Sequence, residues 1–146
     1  CLKLLQVKGE TEFNYLEEKN IGFIKTFPGL NPENYNFFLE SNVDGIVIEA
    51  YATGNVPILE NSLIPFISKA SDKKIPVIIT SQAKRGRIHL ESYECGRMAK
   101  KAGAVSSLDM TFEAAIMKFQ YLLSRKISVE NLEQWFHKNL AGEISL

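Results

Sequence analysis

The sequence predicts an α/β domain in which a parallel sheet of about four strands lies between two layers of helices. Ile46-Val47-Ile48 and the stretch from Ile75 to Thr80 are short and continuously apolar, the mark of strands buried on both faces. Each is followed by turn chemistry, Thr53-Gly54-Asn55 with Pro57 after the first and Ser81-Gln82 after the second. Helical spacing of apolar residues then resumes, so strands and helices alternate along the chain. That alternation calls for right-handed crossovers and a three-layer architecture.

The elements follow in order. Residues 1–20 mix Leu2, Leu4, Leu5 and Val7 with the run Lys8-Gly9-Glu10-Thr11-Glu12 and sustain no period, so they read as a connecting segment ahead of a domain at 21–146. Ile21 to Phe27 is a first strand, stopped by Pro28-Gly29. Asn31 suits the cap of a helix with Pro32 at its first position and Glu33 in its first turn, running to about Ser41 with Tyr35, Phe38 and Leu39 inward. Asp44-Gly45 opens the second strand, which delivers a polar loop. Leu59, Leu63, Phe66, Ile67 and Ala70 recur at helical spacing, and Pro65 fits that helix only in its first turn. The helix therefore starts near Leu63, capped by Asn61 or Ser62, and ends at Asp72-Lys73-Lys74.

After the third strand, Lys84 to Arg87 is a loop, and Ser92 is expected to cap a helix from Tyr93 to Ala102 that Gly103 stops. Ala104 to Ser107 is a short edge strand. Thr111 caps a helix whose stripe is Phe112, Ala115, Ile116, Phe119 and Leu123. Ser128 is expected to cap a last one, carrying Leu132, Trp135 and Phe136 and closing near Gly142.

Composition narrows the function classes. A chain of 146 residues, 45% hydrophobic, suits one domain, and a domain of this size buries roughly 68–70% of its unfolded surface. With 17 basic and 17 acidic residues the formal net charge is zero, which gives no electrostatic footprint for nucleic acid or an anionic membrane. No apolar run approaches the ~20 residues that a membrane helix needs. Two cysteines, Cys1 and Cys95, form no framework pattern, which fits a reducing compartment and a cytoplasmic protein. A start at Cys1 rather than methionine leads us to expect a piece of a longer protein.

The chain lacks a complete catalytic constellation. His89 and His137 are far apart and have no Cys or Asp at ligand spacing, so structural or solvent roles are expected and no metal. Cys95 falls inside a predicted helix and reads as a packed thiol. There is no Gly-x-Ser-x-Gly elbow and no Walker loop. What remains is a ring of polar groups at strand carboxyl ends: Thr26; Tyr51, Thr53 and Asn55; Ser81 and Gln82; Ser106 and Ser107. Hydroxyls and amides there suit recognition of a small polar ligand, with Asn55 the foremost candidate, while polar loops without a ligand carry the same residues. Arg85 and Arg87 flank Gly86 and could grip an anion, although a solvated loop is favoured, and Met110 in Asp109-Met110-Thr111 is expected to pack inward at a helix start.

Read in order, several stretches resemble one family. They are Gly45 to Pro57, Ile75 to Gln82, Gly86-Arg87-Ile88, Tyr93-Glu94-Cys95-Gly96, Ala102 to Val105 and Asp109 to Ala115. Together they resemble the carboxyl-terminal, Rossmann-like domain of L-asparaginases, over roughly Gly22 to Ser145. Leu122 to Ser128 and Asn139 to Ile144 are most similar to the bacterial cytoplasmic type I branch, and the archaeal amidotransferase subunit that releases ammonia for charging tRNA-bound glutamate shares the central motifs.

The resemblance implies a two-domain amidohydrolase that turns L-asparagine and water into aspartate and ammonia without metal or cofactor. Its nucleophilic threonine and the Thr-Asp-Lys group that activates it belong to an amino-terminal domain, and this sequence has neither Thr-Gly-Gly-Thr near its start nor Asp-Thr-x-Asp anywhere. No catalytic residue is therefore expected in this chain, which should be inactive alone. The resemblance further implies a homodimer or higher homo-oligomer, in which this domain packs on its own amino-terminal domain and lends substrate-binding groups to the neighbouring subunit. Those groups fall on Asn55 and, by position, Glu94. An allosteric asparagine pocket of the type I branch uses an arginine and a cysteine where this chain has Glu49 and Ala83, so that constellation is not present. Two other readings remain alongside: the tRNA-dependent amidotransferase subunit, and a freestanding module that binds a small ligand.

Overall fold

The computed structural model describes residues 16–83 and 86–145. Most of the expected connecting segment, together with Lys84 and Arg85 of the basic loop, lies outside the described residues. Four strands, β1 (Ile21–Lys25), β2 (Gly45–Ala50), β3 (Val77–Ser81) and β4 (Ala104–Ser106), form one sheet in sequence order. Every neighbouring pair is parallel, with Ile46 opposite Val77 and Ile78 opposite Val105.

Strand alternation divides the core into two layers. Ile46, Ile48 and Ala50 of β2, Val77 and Ile79 of β3 and Ala104 of β4 face one side. There they meet α1 (Phe37–Glu40), α2 (Ile64–Asp72) and α3 (Glu94–Lys101), through Leu39, Phe66, Ile67, Ala70 and Ala99. Val47, Ile78 and Val105 face the other side and meet Ala115, Phe119 and Leu122 of α4 (Phe112–Ser124) and Leu132 and Phe136 of α5 (Val129–Phe136). Both faces of β2 and β3 are covered, which is why their sequences are apolar throughout. Gly45 makes the second layer possible: a Cβ there would stand 2.3 Å from the Phe119 ring.

Several sequence expectations need correction. The helix from Asn31 to Ser41 is instead a 3-10 turn at Pro32–Tyr35 followed by the single turn of α1. Asn31 caps it as expected, accepting from the Glu33 N–H at 3.0 Å. Asn34 and Asn36 then bond back three residues, to the carbonyls of Asn31 and Glu33, in a run whose asparagines favour local turns over a continuous helix. β3 begins at Val77 rather than Ile75, because the Ile75 N–H still closes α2 on the Ala70 carbonyl and Pro76 has no N–H to give. Ser92 does not cap α3. Tyr93 holds the cap position without a side-chain bond.

Thr111 caps α4 by accepting from the Ala114 N–H at 3.2 Å, as its sequence position suggests. Ser128 sits at the cap of α5 but accepts from the Asn131 side chain instead of the helix backbone. α5 closes at Phe136, six residues before Gly142, and Trp135 is turned outward with Lys138 over its ring at 4.8 Å. Among the described residues no helix is long and apolar enough to cross a membrane.

Candidate functional site

The carboxyl ends of the strands meet at one edge of the domain, and the loop after β2 is the most constrained part of it. Tyr51 and Asn55 form an isolated antiparallel bridge, and the N–H groups of Gly54 and Asn55 both bond the Tyr51 carbonyl, at 2.9 and 2.8 Å. Gly54 adopts φ of 98°, a conformation that disfavours any side chain. A Cβ at Gly54 would stand 2.6 Å from Ile88 and 3.1 Å from Leu90, so the turn is pressed onto the segment after β3. Ser81, at the end of β3, donates its hydroxyl to the Ala52 carbonyl and accepts from the Ala83 N–H at 2.9 Å. The turn that carries Asn55 is thus tied to its neighbours from below.

The ring of polar candidates separates into two kinds. Thr26 is buried, with its hydroxyl on the Glu49 carbonyl at 3.1 Å. The Gln82 amide donates to the Thr26 carbonyl at 2.6 Å, the Thr26 hydroxyl at 3.0 Å and the Glu49 carbonyl at 3.2 Å, joining the ends of three strands. The Ser106 hydroxyl accepts from the Leu108 N–H at 2.9 Å, and Ser107 is fully buried with its hydroxyl unpartnered. Thr26, Gln82 and Ser106 are thus engaged within the fold. Tyr51, Thr53 and Asn55 remain half-exposed on the loop.

Asn55 meets the first turn of α3. The Cys95 thiol lies 3.1 Å from Asn55 Oδ1 and donates to it. Glu94 precedes Cys95 and is exposed, so the structure places both predicted substrate-binding residues at the same junction of loop and helix. The thiol's partner there is a carboxamide, which does not take a proton from it as a general base would. Cys95 is half-buried and free, matching the packed thiol expected of it. Periodicity carries no sign of this junction, because the bond joins positions 40 apart.

On the α4 side of the strand ends is a cavity of about 450 Å³, lined in part by Lys25, Glu49, Gln82, Ala83, Asp109 and Glu113. Lys25 pairs with Glu49 across 2.9 Å. Burial pushes the Asp109 carboxyl up, but hydrogen bonds from Ser145 and the charge of Arg87 outweigh it and hold the group below its ordinary value. Met110, next to Asp109, is buried, in line with its expected role at a helix start.

A second cavity, of about 570 Å³, brings His89 and His137 together with Lys100, Glu91 and Glu133. His137 Nε2 lies 2.9 Å from the Ser106 carbonyl, so that nitrogen carries the proton and the ring secures the free edge of β4. Lys100 is paired with Glu91 at 2.6 Å. Among the described residues no group of three or more His, Cys, Asp or Glu side chains is placed to hold a metal ion.

Comparison with known proteins supplies what the geometry leaves open. Residues 20–136 match the family described as Glutaminase/Asparaginase C-terminal domain. The chain is 35% identical to a subunit of the Glutamyl-tRNA(Gln) amidotransferase of Methanobrevibacter smithii, over 94% of its own length and 31% of that protein. It is also 35% identical to the L-asparaginase of Thermococcus kodakarensis, over 94% of its length and 41% of the relative. The crystal structure of L-asparaginase I from Vibrio cholerae superposes with a TM-score of 0.85 at 30% identity, covering 94% of this chain and 41% of that one. The chain therefore spans less than half the length of each of these proteins.

Proposed function

The chain belongs to the Glutaminase/Asparaginase C-terminal domain family, and on that premise we propose that it is the C-terminal domain of an L-asparaginase. In this reading the parent protein adds water across the side-chain amide of L-asparagine and releases L-aspartate and ammonia, with no cofactor. The nucleophile lies in the other domain. This chain contributes contacts to a second copy and completes that copy's substrate site with Asn55 and Glu94. A cytoplasmic parent is part of this reading, and the tail's resemblance to the cytoplasmic type I branch supports it.

One observation carries the reading: the Asn55 carboxamide stands on a turn anchored to β3 by Ser81 and to α3 by Cys95, half-exposed at the strand carboxyl ends where α/β sheets take their ligands. Exposed apolar side chains beside it support contact with another copy. Leu59 is 83% exposed and Phe27 49%, and both line a hollow with Tyr51 and Pro57. The test is kinetic. In the protein that joins this chain to its threonine-bearing domain, Asn55→Ala is expected to lower kcat/KM for asparagine by about tenfold, on the order of one or two hydrogen bonds. Unchanged kcat/KM would return Asn55 to the status of a turn residue.

A second reading is favoured by the names of several relatives. The Methanobrevibacter smithii protein, at 35% identity, is named as part of an amidotransferase. A parent of that kind requires a partner chain and carries a further small β-domain ahead of the asparaginase core. Asparagine hydrolysis by the purified full-length protein without any partner separates the two. Activity only when a partner and glutamate-charged tRNA are supplied favours the amidotransferase.

A further inference from the structure

We infer that Cys95 is a positioning residue that fixes which end of the Asn55 carboxamide faces the substrate site. The inference rests on the proposal above that Asn55 reaches that site. A carboxamide is nearly symmetric in shape but opposite in hydrogen-bonding character at its two ends, so one rotation about its last bond exchanges an acceptor for two donors. A protonated thiol has one hydrogen to give and is a weak acceptor. Facing Cys95 Sγ at 3.1 Å, Asn55 Oδ1 takes that hydrogen, whereas the reversed amide would set N–H groups against sulfur and give up the better bond.

The consequence is directional. With Oδ1 held inward, Nδ2 points its two hydrogens away from α3, and among the described residues no acceptor takes either of them. The Asn55 side chain is therefore set to donate to an oxygen acceptor, a carboxylate or an amide carbonyl, and not to receive an ammonium group.

The spacing between the two residues does not depend on the thiol. Gly54, before Asn55, is packed against Ile88 and Leu90, where a Cβ would stand 2.6 Å from Ile88. Gly96, after Cys95, is packed against Leu90, where a Cβ would stand 2.3 Å from the Leu90 carbonyl oxygen. One strap, residues 88–90, thus brings loop and helix together, its Ile88 and Leu90 side chains packing on Gly54 and the Leu90 backbone on Gly96, and the thiol selects the orientation of the amide within a gap already set. A packing role alone would be met equally by a small apolar side chain.

The experiment compares Cys95→Ala, Cys95→Ser, Asn55→Ala and the double variant Asn55→Ala with Cys95→Ala in the two-domain protein, measuring kcat and KM for asparagine. Cys95→Ala is expected to raise KM several-fold, up to about tenfold, with kcat changed less. Cys95→Ser, which keeps a donor, should stay close to the parent, and the double variant should be no worse than Asn55→Ala alone, the non-additivity of two groups acting as one. If Asn55→Ala raises KM while Cys95→Ala does not, the orienting role is overturned and the substrate contact stands. If Asn55→Ala has no effect, both are overturned. An equal loss in Cys95→Ala and Cys95→Ser also overturns it, since that pattern reports packing and not hydrogen bonding.

Discussion

Lys118 Nζ lies 2.6 Å from Glu143 Oε1 in the layer formed by α4 and α5, with side-chain exposures of 4% and 13%. Lys118 also donates to the Lys138 carbonyl at 2.7 Å and stands 5.6 Å from the centre of the Phe136 ring. Glu143 accepts the N–H groups of Leu140 and Ala141 as well. Burial raises the Glu143 carboxyl, yet Lys118 and these N–H groups prevail and bring it from 4.5 down to about 2. Because the folded value is the lower one, the stability it contributes is fully present above pH 4.5 and is lost as pH falls toward 2. Urea unfolding across that window should show a decline that Glu143→Gln flattens. An identical slope in both proteins would remove Glu143 from the account.

Removing the partner is harsher than titrating it. Lys118→Ala leaves the partly exposed Glu143 without its cation, and the cost expected is about 2 kcal/mol, between the ranges for surface and buried pairs. Chemical denaturation at neutral pH measures it. A loss below about 0.5 kcal/mol would mean that solvent reaches the carboxylate, as in surface pairs.

How much of this was legible in the sequence varies with the distance over which each feature is decided. Ile46-Val47-Ile48 announced a strand covered on both faces because the property is local and repeated. Thr111 could be read as a cap from its own neighbours. The break in the Asn31 to Ser41 segment and the outward turn of Trp135 depended on packing that periodicity does not report. Lys118 interrupts the apolar stripe of α4, and only the folded tail supplies the carboxylate that makes its burial tolerable. For the candidate site, Asn55 could be read from a polar turn at a strand carboxyl end and Glu94 from the order of motifs, whereas the Cys95 bond joins loop to helix across 40 positions that no local pattern links.

Gly54 tests how tightly the Asn55 turn is held. Gly54→Ala combines φ of 98° with a Cβ 2.6 Å from Ile88. Gly29 has φ of 89° and nothing within 4 Å, so Gly29→Ala carries backbone strain alone. Gly29→Ala is expected to cost about 1 kcal/mol and Gly54→Ala up to about 3 kcal/mol. Equal losses would show that the Ile88 and Leu90 side chains yield readily, and would weaken the case for a gap fixed by packing on residues 88–90.

The chain alone should not hydrolyse asparagine. The Cys95 thiol at the candidate site faces an amide, and covalent catalysis needs a nucleophile paired with a base. Ammonia release measured from purified chain and asparagine should match the blank. Turnover that persists through repurification and scales with protein concentration would defeat the assignment of catalysis to another domain.

The chain is expected to associate with its own copies through the apolar groups around the Asn55 turn. Leu59, Phe27 and Tyr93 are 83%, 49% and 55% exposed, and Phe27 and Leu59 share a hollow with Pro28, Tyr51 and Pro57. Large side chains grouped in this way mark contact surfaces more often than free ones. A twofold dimer is the commonest closed arrangement that buries such a patch against its own copy. Arg87 and Tyr93, on the segment between β3 and α3, are exposed as well. Sedimentation at micromolar concentration should therefore give a dimer or larger species, and Leu59→Glu, which sets a charge into the hollow, should shift it toward monomer. A monomer at every concentration would count against the shared substrate site and favour the freestanding binding module, since a site completed by a neighbouring copy cannot exist without that copy.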